Sequence, residues 1–364
     1  MQKNTPHLSE RNLQTIHAIG RFKYLSSQQI WKAFYPTSTP ENATQRLTSL
    51  HKHGFLSRDF AYPKAVSNPA HRPTAIYFFS PKNRENLRAY LTTHGKADLY
   101  EDFAVLPTTD KDDGNNFSNA HLVHEISIAE FFMPLEKAAA VNPEWELLMW
   151  EITSPRSADI PDKDIKLKVK DRRTKNPDGS SKEFITDRHF NPDGIALLKE
   201  PSGTISLNVL ETDNNTNNPS DMRGKFEAFI GYGRADNRNR FPKLIEFYAR
   251  KYHLDIPNPD DILVRYLFVA SNHDNNHHRR NQLFLLSLPY DRQKQLLFTS
   301  LTDCTPDNIL TGNIWMRGRE YRDHTQTHME HIIHPDTAPT LKLRKQHEIL
   351  NNPEHMPLVS LTAG

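Results

Sequence analysis

The sequence predicts a mixed α/β protein in which a small helical module with a hairpin precedes a larger α/β core. Three observations predict it. Three short segments with apolar residues every three or four positions fall before Gly54, each with its own start signal. An apolar hairpin pattern with a long intervening loop follows them. Beyond Ser118, helix-like and strand-like patterns alternate, the order of an α/β layer.

Composition narrows the class. The 364 residues are enough for two or three domains, but only 36% are hydrophobic, so much of the chain is surface, loop or polar interface. No apolar run reaches the length of a bilayer span, and Met1 to Pro6 holds no signal-peptide core. Cys304 is the only cysteine, which excludes an intrachain disulfide and a cysteine zinc site. A reducing, cytoplasmic setting with no membrane contact is expected. The net charge of +2 does not announce a nucleic-acid ligand, yet a basic face and a carboxylate-rich site cancel in such a sum.

The elements follow in order. Ser9 caps a helix carrying Leu13, Ile16 and Ile19, with Gly20 as its expected end. Ser26 and Gln29 form a capping-box pattern ahead of Ile30 and Phe34. Thr39 and Pro40 start a third helix with Ala43, Leu47 and Leu50 inward, ending at Gly54. Phe55 to Arg58 and Ala75 to Phe79 read as hairpin strands around a loop with Lys64, His71 and Arg72, and Pro81 opens another helix. This is the pattern of a winged helix-turn-helix over residues 8–93, with the third helix as the recognition helix. Its outward residues Asn42, Gln45, Arg46, Ser49 and Lys52 are types that hydrogen-bond base edges and phosphates, which makes double-stranded DNA the expected partner. A plain solvated helix face is the alternative.

Residues 94–117 read as a linker. A helical pattern then runs from Ser118 to Ala140, with Pro134 expected to kink or break it. Trp145 to Ile152 reads as a strand and 155–182 as charged and turn-rich. Phe184 to Leu198 reads as a strand or hairpin arm broken at Pro192, Ile205 to Leu210 as a strand, and Ser220 to Arg234 as a helix. Leu263 to Ala270 and Ile314 to Met316 read as further strands, closing a second domain over 118–322. Residues 323–364 read as a poorly ordered tail, apart from a helical pattern near Leu341 to Leu350.

Carboxylates collect at the predicted strand ends. Asp193 follows Pro192, and Glu211 and Asp213, two apart on one strand, share a face. Glu125, on the preceding helix, is a candidate further ligand or base. Phosphodiester hydrolysis requires charge neutralisation on the phosphate and hydroxide near neutral pH. Mg²⁺ or Mn²⁺ held by such oxygens supplies both. Pro-Asp pairs also occur at Pro161, Pro177, Pro259 and Pro306, but only Pro192-Asp193 precedes a strand ending in two acids. His121 and His124 share a helix face with Glu125 as a lesser ligand candidate, and His273 to His278 as another. Tyr232 and Tyr248 are tyrosines near the site in sequence, with nothing to single out either as a nucleophile.

These residues resemble the restriction-endonuclease-like nuclease superfamily, marked by Pro-Asp and then acid-x-Lys on the next strand. Asp213 stands where that lysine is expected. In some members the following helix supplies the cation, which implies Lys225 here and, more weakly, Arg223. More specifically, the chain resembles the replication-relaxation family, which includes C-type mobilisation relaxases of plasmids and conjugative elements. Leu8 to Leu13, Arg21 to Ile30, the helix around His121 to Ile128, Asn191-Pro192-Asp193 and Val209 to Asp213 carry the likeness, over roughly residues 8 to 320. The resemblance implies a metal-dependent endonuclease that nicks one strand at a transfer or replication origin, alongside other mobilisation or replication proteins. Asp193, Glu211 and Asp213 would hold the metal, with Lys225 on the phosphate. The alternative is a catalytically inactive accessory or regulatory protein, which the displaced lysine favours.

Overall fold

The structure, a computed structural model, describes residues 7–61, 73–109, 118–153, 160–175, 177–214, 219–233, 240–271, 276–287, 295–317 and 358–361. The chain divides into two compact units, Met1–Glu130 and Phe131–Gly364.

The first unit is a winged helix-turn-helix. Helices α1 (Glu10–Phe22), α2 (Ser27–Phe34) and α3 (Pro40–Lys52) accompany a three-stranded antiparallel sheet ordered β1-β3-β2, from β1 (Tyr24–Ser26), β2 (Ser57–Ala61) and β3 (Thr74–Phe78). Its local signals act as the residues dictate. Ser9 Oγ accepts from Asn12 N at 3.3 Å. Ser26 and Gln29 close a reciprocal capping box at 3.1 and 2.7 Å. Thr39 Oγ1 accepts from Asn42 N at 3.3 Å, with Pro40 in the first turn. Trp31 Nε1 donates to Ser38 O at 2.7 Å and so ties the turn between α2 and α3.

Three expectations change here. Gly20 does not end α1, which continues to Phe22 and closes at Lys23 with a positive φ of 64°. Gly20 is instead a packing residue: a Cβ there would stand 2.8 Å from the Leu106 side chain. The linker is partly folded. A 3-10 turn (Ala97–Tyr100) and α5 (Glu101–Ala104) follow α4 (Pro81–Thr93), and buried Phe103 meets His17 edge-on at 5.7 Å. Helix α6 (Asn119–Val141) runs through Pro134 as one helix, so of the expected kink or break there is no break. The basic loop residues Lys64, His71 and Arg72 lie outside the described residues.

The second unit is built on a seven-stranded mixed sheet ordered β12-β11-β10-β9-β8-β7-β4. Its strands are β4 (Glu146–Ile152), β7 (Gly194–Lys199), β8 (Ile205–Asp213), β9 (Leu263–Ala270), β10 (Leu296–Ser300), β11 (Trp315–Arg317) and β12 (Leu358–Val359). β8, β9 and β10 are parallel neighbours, and the other pairings are antiparallel. Helices α7 (Pro219–Tyr232), α8 (Phe241–Lys251) and α9 (Asn276–Ser287) serve the parallel crossovers. Alternation along each strand sends Leu207, Val209, Tyr266, Phe268, Leu296 and Phe298 to one face, where they form a core with Phe226, Phe229, Leu244 and Phe284 of the helices. The opposite face takes the C-terminal half of α6. Phe132 stacks on Trp150 at 4.9 Å, and Gly194 leaves room for the ring, since a Cβ there would stand 2.5 Å from it.

Helix α8 and strand β10 stand where no element was expected. The charged, turn-rich segment 155–182 holds β5 (Asp164–Lys175), which pairs with β6 (Ser181–His189), the first part of the expected Phe184 arm, as a separate two-stranded ribbon. Within the expected tail, Leu358–Val359 pairs with β11 as the edge strand, whereas the helical pattern near Leu341 to Leu350 lies outside the described residues.

Candidate functional site

Each unit presents one arrangement. In the first, α3 buries Ala43, Leu47 and Leu50 and turns Asn42, Gln45, Arg46 and Lys52 outward, with Ser49 half-buried. Asn42, Gln45, Arg46 and Ser49, joined by Ser38, line a concave groove of about 450 Å³. Ser38 carries no sequence signal for this groove; the hydrogen bonds from Trp31 Nε1 to its carbonyl and from its N–H to Tyr35 O set the turn beside α3. The Arg46 guanidinium lies 5.9 Å from the centroid of the buried Tyr35 ring, and that of Arg11 lies 6.0 Å from it. Tyr35 is itself fixed, its hydroxyl 3.1 Å from Thr15 Oγ1 and donating to Asn12 Oδ1 at 3.4 Å. A guanidinium resting on a ring loses part of its freedom before a ligand arrives, so its planar fork is presented in a preferred orientation.

In the second unit, the end of β8 gathers the acids. Asp193 is tied into the sheet: its N–H donates to Leu210 O at 2.9 Å and its carbonyl accepts from Thr153 N at 3.0 Å. Its Oδ2 accepts from Thr212 N at 2.7 Å and Thr212 Oγ1 at 2.8 Å. Glu211 and Asp213 are both 0% exposed and share the β8 face that carries Leu207 and Val209. Lys225, from α7, pairs with Glu211 Oε1, while Glu211 Oε2 is buried with no hydrogen-bond partner among the described residues. Burial pushes the Lys225 ammonium below its ordinary value, and the nearby Asp193 carboxylate opposes that shift. Arg279, from α9, donates through Nε to Asp213 Oδ2 and through Nη1 to Gln282 Oε1 at 3.2 Å. The sequence signal for Arg279 was the run His277 to Arg280 after an apolar strand, which does not say which of the four turns inward.

Among the described residues, no three Asp, Glu, His or Cys side chains gather closely enough to hold a metal ion, so Asp193, Glu211 and Asp213 do not form such a set. The residues present fit a sparser site. Glu211 has one unmatched buried oxygen, Asp193 stands close enough to act on the same lysine, and Mg²⁺ ordinarily takes only one or two protein carboxylates. Asp213 is engaged by Arg279.

The remaining candidates are placed as follows. Glu125 belongs to the first unit, buried, with His121 Nδ1 3.9 Å from its Oε1. His121 packs edge-on against Tyr24 at 5.6 Å, and burial lowers its pKa. Arg223 is exposed on α7. Tyr232 and Tyr248 are both buried, and the Tyr232 hydroxyl donates to Pro161 O at 2.7 Å. Burial pushes the Tyr232 phenol upward, away from a phenolate nucleophile. His277 lies 3.6 Å from Asp303, whereas His273 is outside the described residues.

These features define a two-part protein, a winged helix-turn-helix followed by a mixed α/β unit with buried acid–cation pairs at its strand ends. The profile of the replication-relaxation family matches residues 16–245, and the chain belongs to that family. A solved structure, described as that of a protein with a GntR superfamily winged-helix-turn-helix domain from Halomicrobium mukohataei, is similar at 19% identity. That similarity covers 32% of this chain and 76% of the other, with a TM-score of 0.20. No curated protein matches the chain. Among the described residues, no helix is long and apolar enough to cross a membrane.

Proposed function

We propose that this protein is a relaxase-like endonuclease that binds double-stranded DNA at a plasmid or conjugative-element origin and nicks one strand there. The first unit would read the duplex through α3. Arg46 and Gln45 are its candidates for bidentate base contact, and Asn42, Ser49 and Lys52 its candidates for further base or phosphate contact. What supports the catalytic part is the Glu211–Lys225 pair beside Asp193 at the strand ends, with Glu211 Oε2 buried and unmatched.

Asp193 and Glu211 would hold Mg²⁺ or Mn²⁺. Such an ion supplies hydroxide near neutral pH and offsets phosphate charge. The chain's own residues do the rest. Thr212 orients the Asp193 carboxylate through two hydrogen bonds. Lys225, held on Glu211, presents a fixed positive charge where a phosphate accumulates negative charge. Arg279 neutralises Asp213 and keeps a second buried acid from repelling the substrate.

Supercoiled DNA carrying the cognate origin, incubated with and without Mn²⁺, tests this reading. Metal-dependent conversion to the nicked circle is expected. Asp193→Asn, which keeps an oxygen for both Thr212 bonds, should abolish nicking and spare duplex binding. Nicking by that variant at the wild-type rate would remove Asp193 from the site. The second reading, an accessory DNA-binding protein without catalysis, draws on the Asp213–Arg279 pair: where nucleases of this type carry a lysine, this chain carries an acid with its charge already met.

A further inference from the structure

The acid site makes no use of the β5–β6 ribbon. Among the described residues β5 and β6 pair only with each other, in register from Asp164↔His189 to Asp171↔Lys182, with an irregularity between Asp171 and Lys175. The base of the ribbon is anchored on α7. Arg188 Nη2 lies 3.8 Å from Glu227 Oε2, and the guanidinium lies over Gly224, within van der Waals reach of where a Cβ would stand. Among the ribbon residues whose burial is described, Lys166 and Asp187 near the base and turn residues 177–180 are exposed, and Ile185 is 65% exposed. A two-stranded ribbon with no third strand is marginal in water unless something packs on it.

Its charge says what that something is. Residues 164–189 hold eight Lys and Arg against five Asp and Glu, a net +3, while the whole chain is only +2, so the rest of the protein is net negative. The register also sorts the charges. Lys166 sits opposite Asp187, Lys170 opposite Glu183, and Lys182 opposite Asp171. Lys168 sits opposite Ile185, and Arg172, Arg173 and Lys175 lie beyond the last paired acid. With Asp178 of the turn counted against Arg172, Arg173 and Lys175, the outer half of the ribbon still keeps a net charge of +2. A strand of this length spans about 40 Å, against about 34 Å for one turn of duplex DNA. The major groove, about 12 Å wide, admits a two-stranded ribbon.

We infer that the β5–β6 ribbon is a second DNA-binding element, which contacts the phosphates of a duplex through Lys168, Arg172, Arg173 and Lys175. The inference rests on the reading that the chain binds DNA, and it adds a contact independent of base sequence to the specific one made by α3. Fluorescence anisotropy with cognate and random duplexes of about 30 base pairs, across a salt series, tests it in the full-length protein. Each phosphate contact contributes about 0.9 to the slope of log affinity against log salt. Arg172→Ala/Arg173→Ala/Lys175→Ala should lower that slope by about 2 to 3 and weaken both duplexes alike, by about ten-fold or more. Arg172→Lys/Arg173→Lys should retain most of the slope, and an unchanged thermal melt shows that the fold is intact. An Arg46→Ala control should lose preference for the cognate duplex without losing the ribbon's share of the slope. Wild-type affinity and slope in the triple variant would overturn the ribbon proposal and leave the α3 reading standing. Failure of the wild-type protein to bind any duplex would overturn both, and tighter binding to duplex RNA than to DNA would overturn the assignment of DNA as the occupant.

Discussion

Removing Lys225 leaves the Glu211 carboxylate buried at 0% exposure without its cation. Breaking a buried ion pair from one side costs about 3–5 kcal/mol. The Lys225 side chain is 33% exposed, and that access to water lowers the expectation to about 2–3 kcal/mol. The loss has a ceiling set by proton uptake. A carboxyl with an ordinary pKa of about 4.3 can be protonated at pH 7 for about 4 kcal/mol, and at pH 5 for about 1 kcal/mol. In Lys225→Ala the folded pKa of Glu211 is expected above its unfolded value. The penalty should therefore be small near pH 5 and grow as pH rises toward that raised value. Glu211→Gln/Lys225→Ala removes the charge and should recover much of the loss at pH 7 with little pH dependence. Three of the four tryptophans, Trp145, Trp150 and Trp315, belong to the second unit. Urea unfolding followed by fluorescence in a Trp31→Phe background therefore reports the relevant unit. Equal destabilisation of Lys225→Ala at pH 5 and pH 7, or a double variant no more stable than the single, would refute the buried-pair argument.

Other outcomes are expected. In single-turnover nicking at saturating protein, Lys225→Ala should cut the rate far more than it cuts affinity, and Lys225→Arg should restore only part. If the charged lysine is required, the wild-type rate should decline as pH rises through a value below the ordinary 10.5, and Lys225→Arg should remove that decline, as a pH–rate profile would show. Arg46→Ala should weaken cognate binding by about 1–3 kcal/mol with a smaller effect on random duplex; equal weakening in a gel-shift series would mean phosphate contact alone. Gly194→Ala should destabilise the second unit by about 1–3 kcal/mol in urea titration, because the new methyl meets the Phe132 ring, and Phe132→Leu should relieve it. Burial raises the Cys304 thiol, so Ellman's reagent at pH 8 should find no reactive thiol in the native protein and one after denaturation.

The winged helix was legible because its signals are local. Ser9, Ser26 with Gln29, and Thr39 with Pro40 act within one helical turn, and the apolar spacing of α3 leaves its outer face readable. Period-two alternation likewise set Glu211 and Asp213 side by side. What stayed hidden was non-local. Arg279 reaches Asp213 across 66 positions of chain, and no spacing rule selects it from His277 to Arg280. Gly20 reads as a terminator until Leu106 is seen against it. The ribbon was missed because its alternation is of lysine with Ile165, Leu167 and Val169, and a charge-dense segment with a strong turn reads as loop. Pro134 removes one backbone donor from α6, which local pattern reads as a kink or break, and the helix continues through it unbroken.

Among the described strands of the sheet β12 is the last to be synthesised, and residues 318–357 separate it from the β11 edge it covers. At translation rates of about 5–20 residues per second, Trp315 to Arg317 wait some seconds for Leu358 and Val359. Until β12 docks after its release from the ribosome, the backbone groups along the β11 edge that it covers are open to pairing with another chain. Expression yield is therefore expected to depend on ribosome density and on elongation speed across this segment, and truncation upstream of Leu358 would make the exposure permanent.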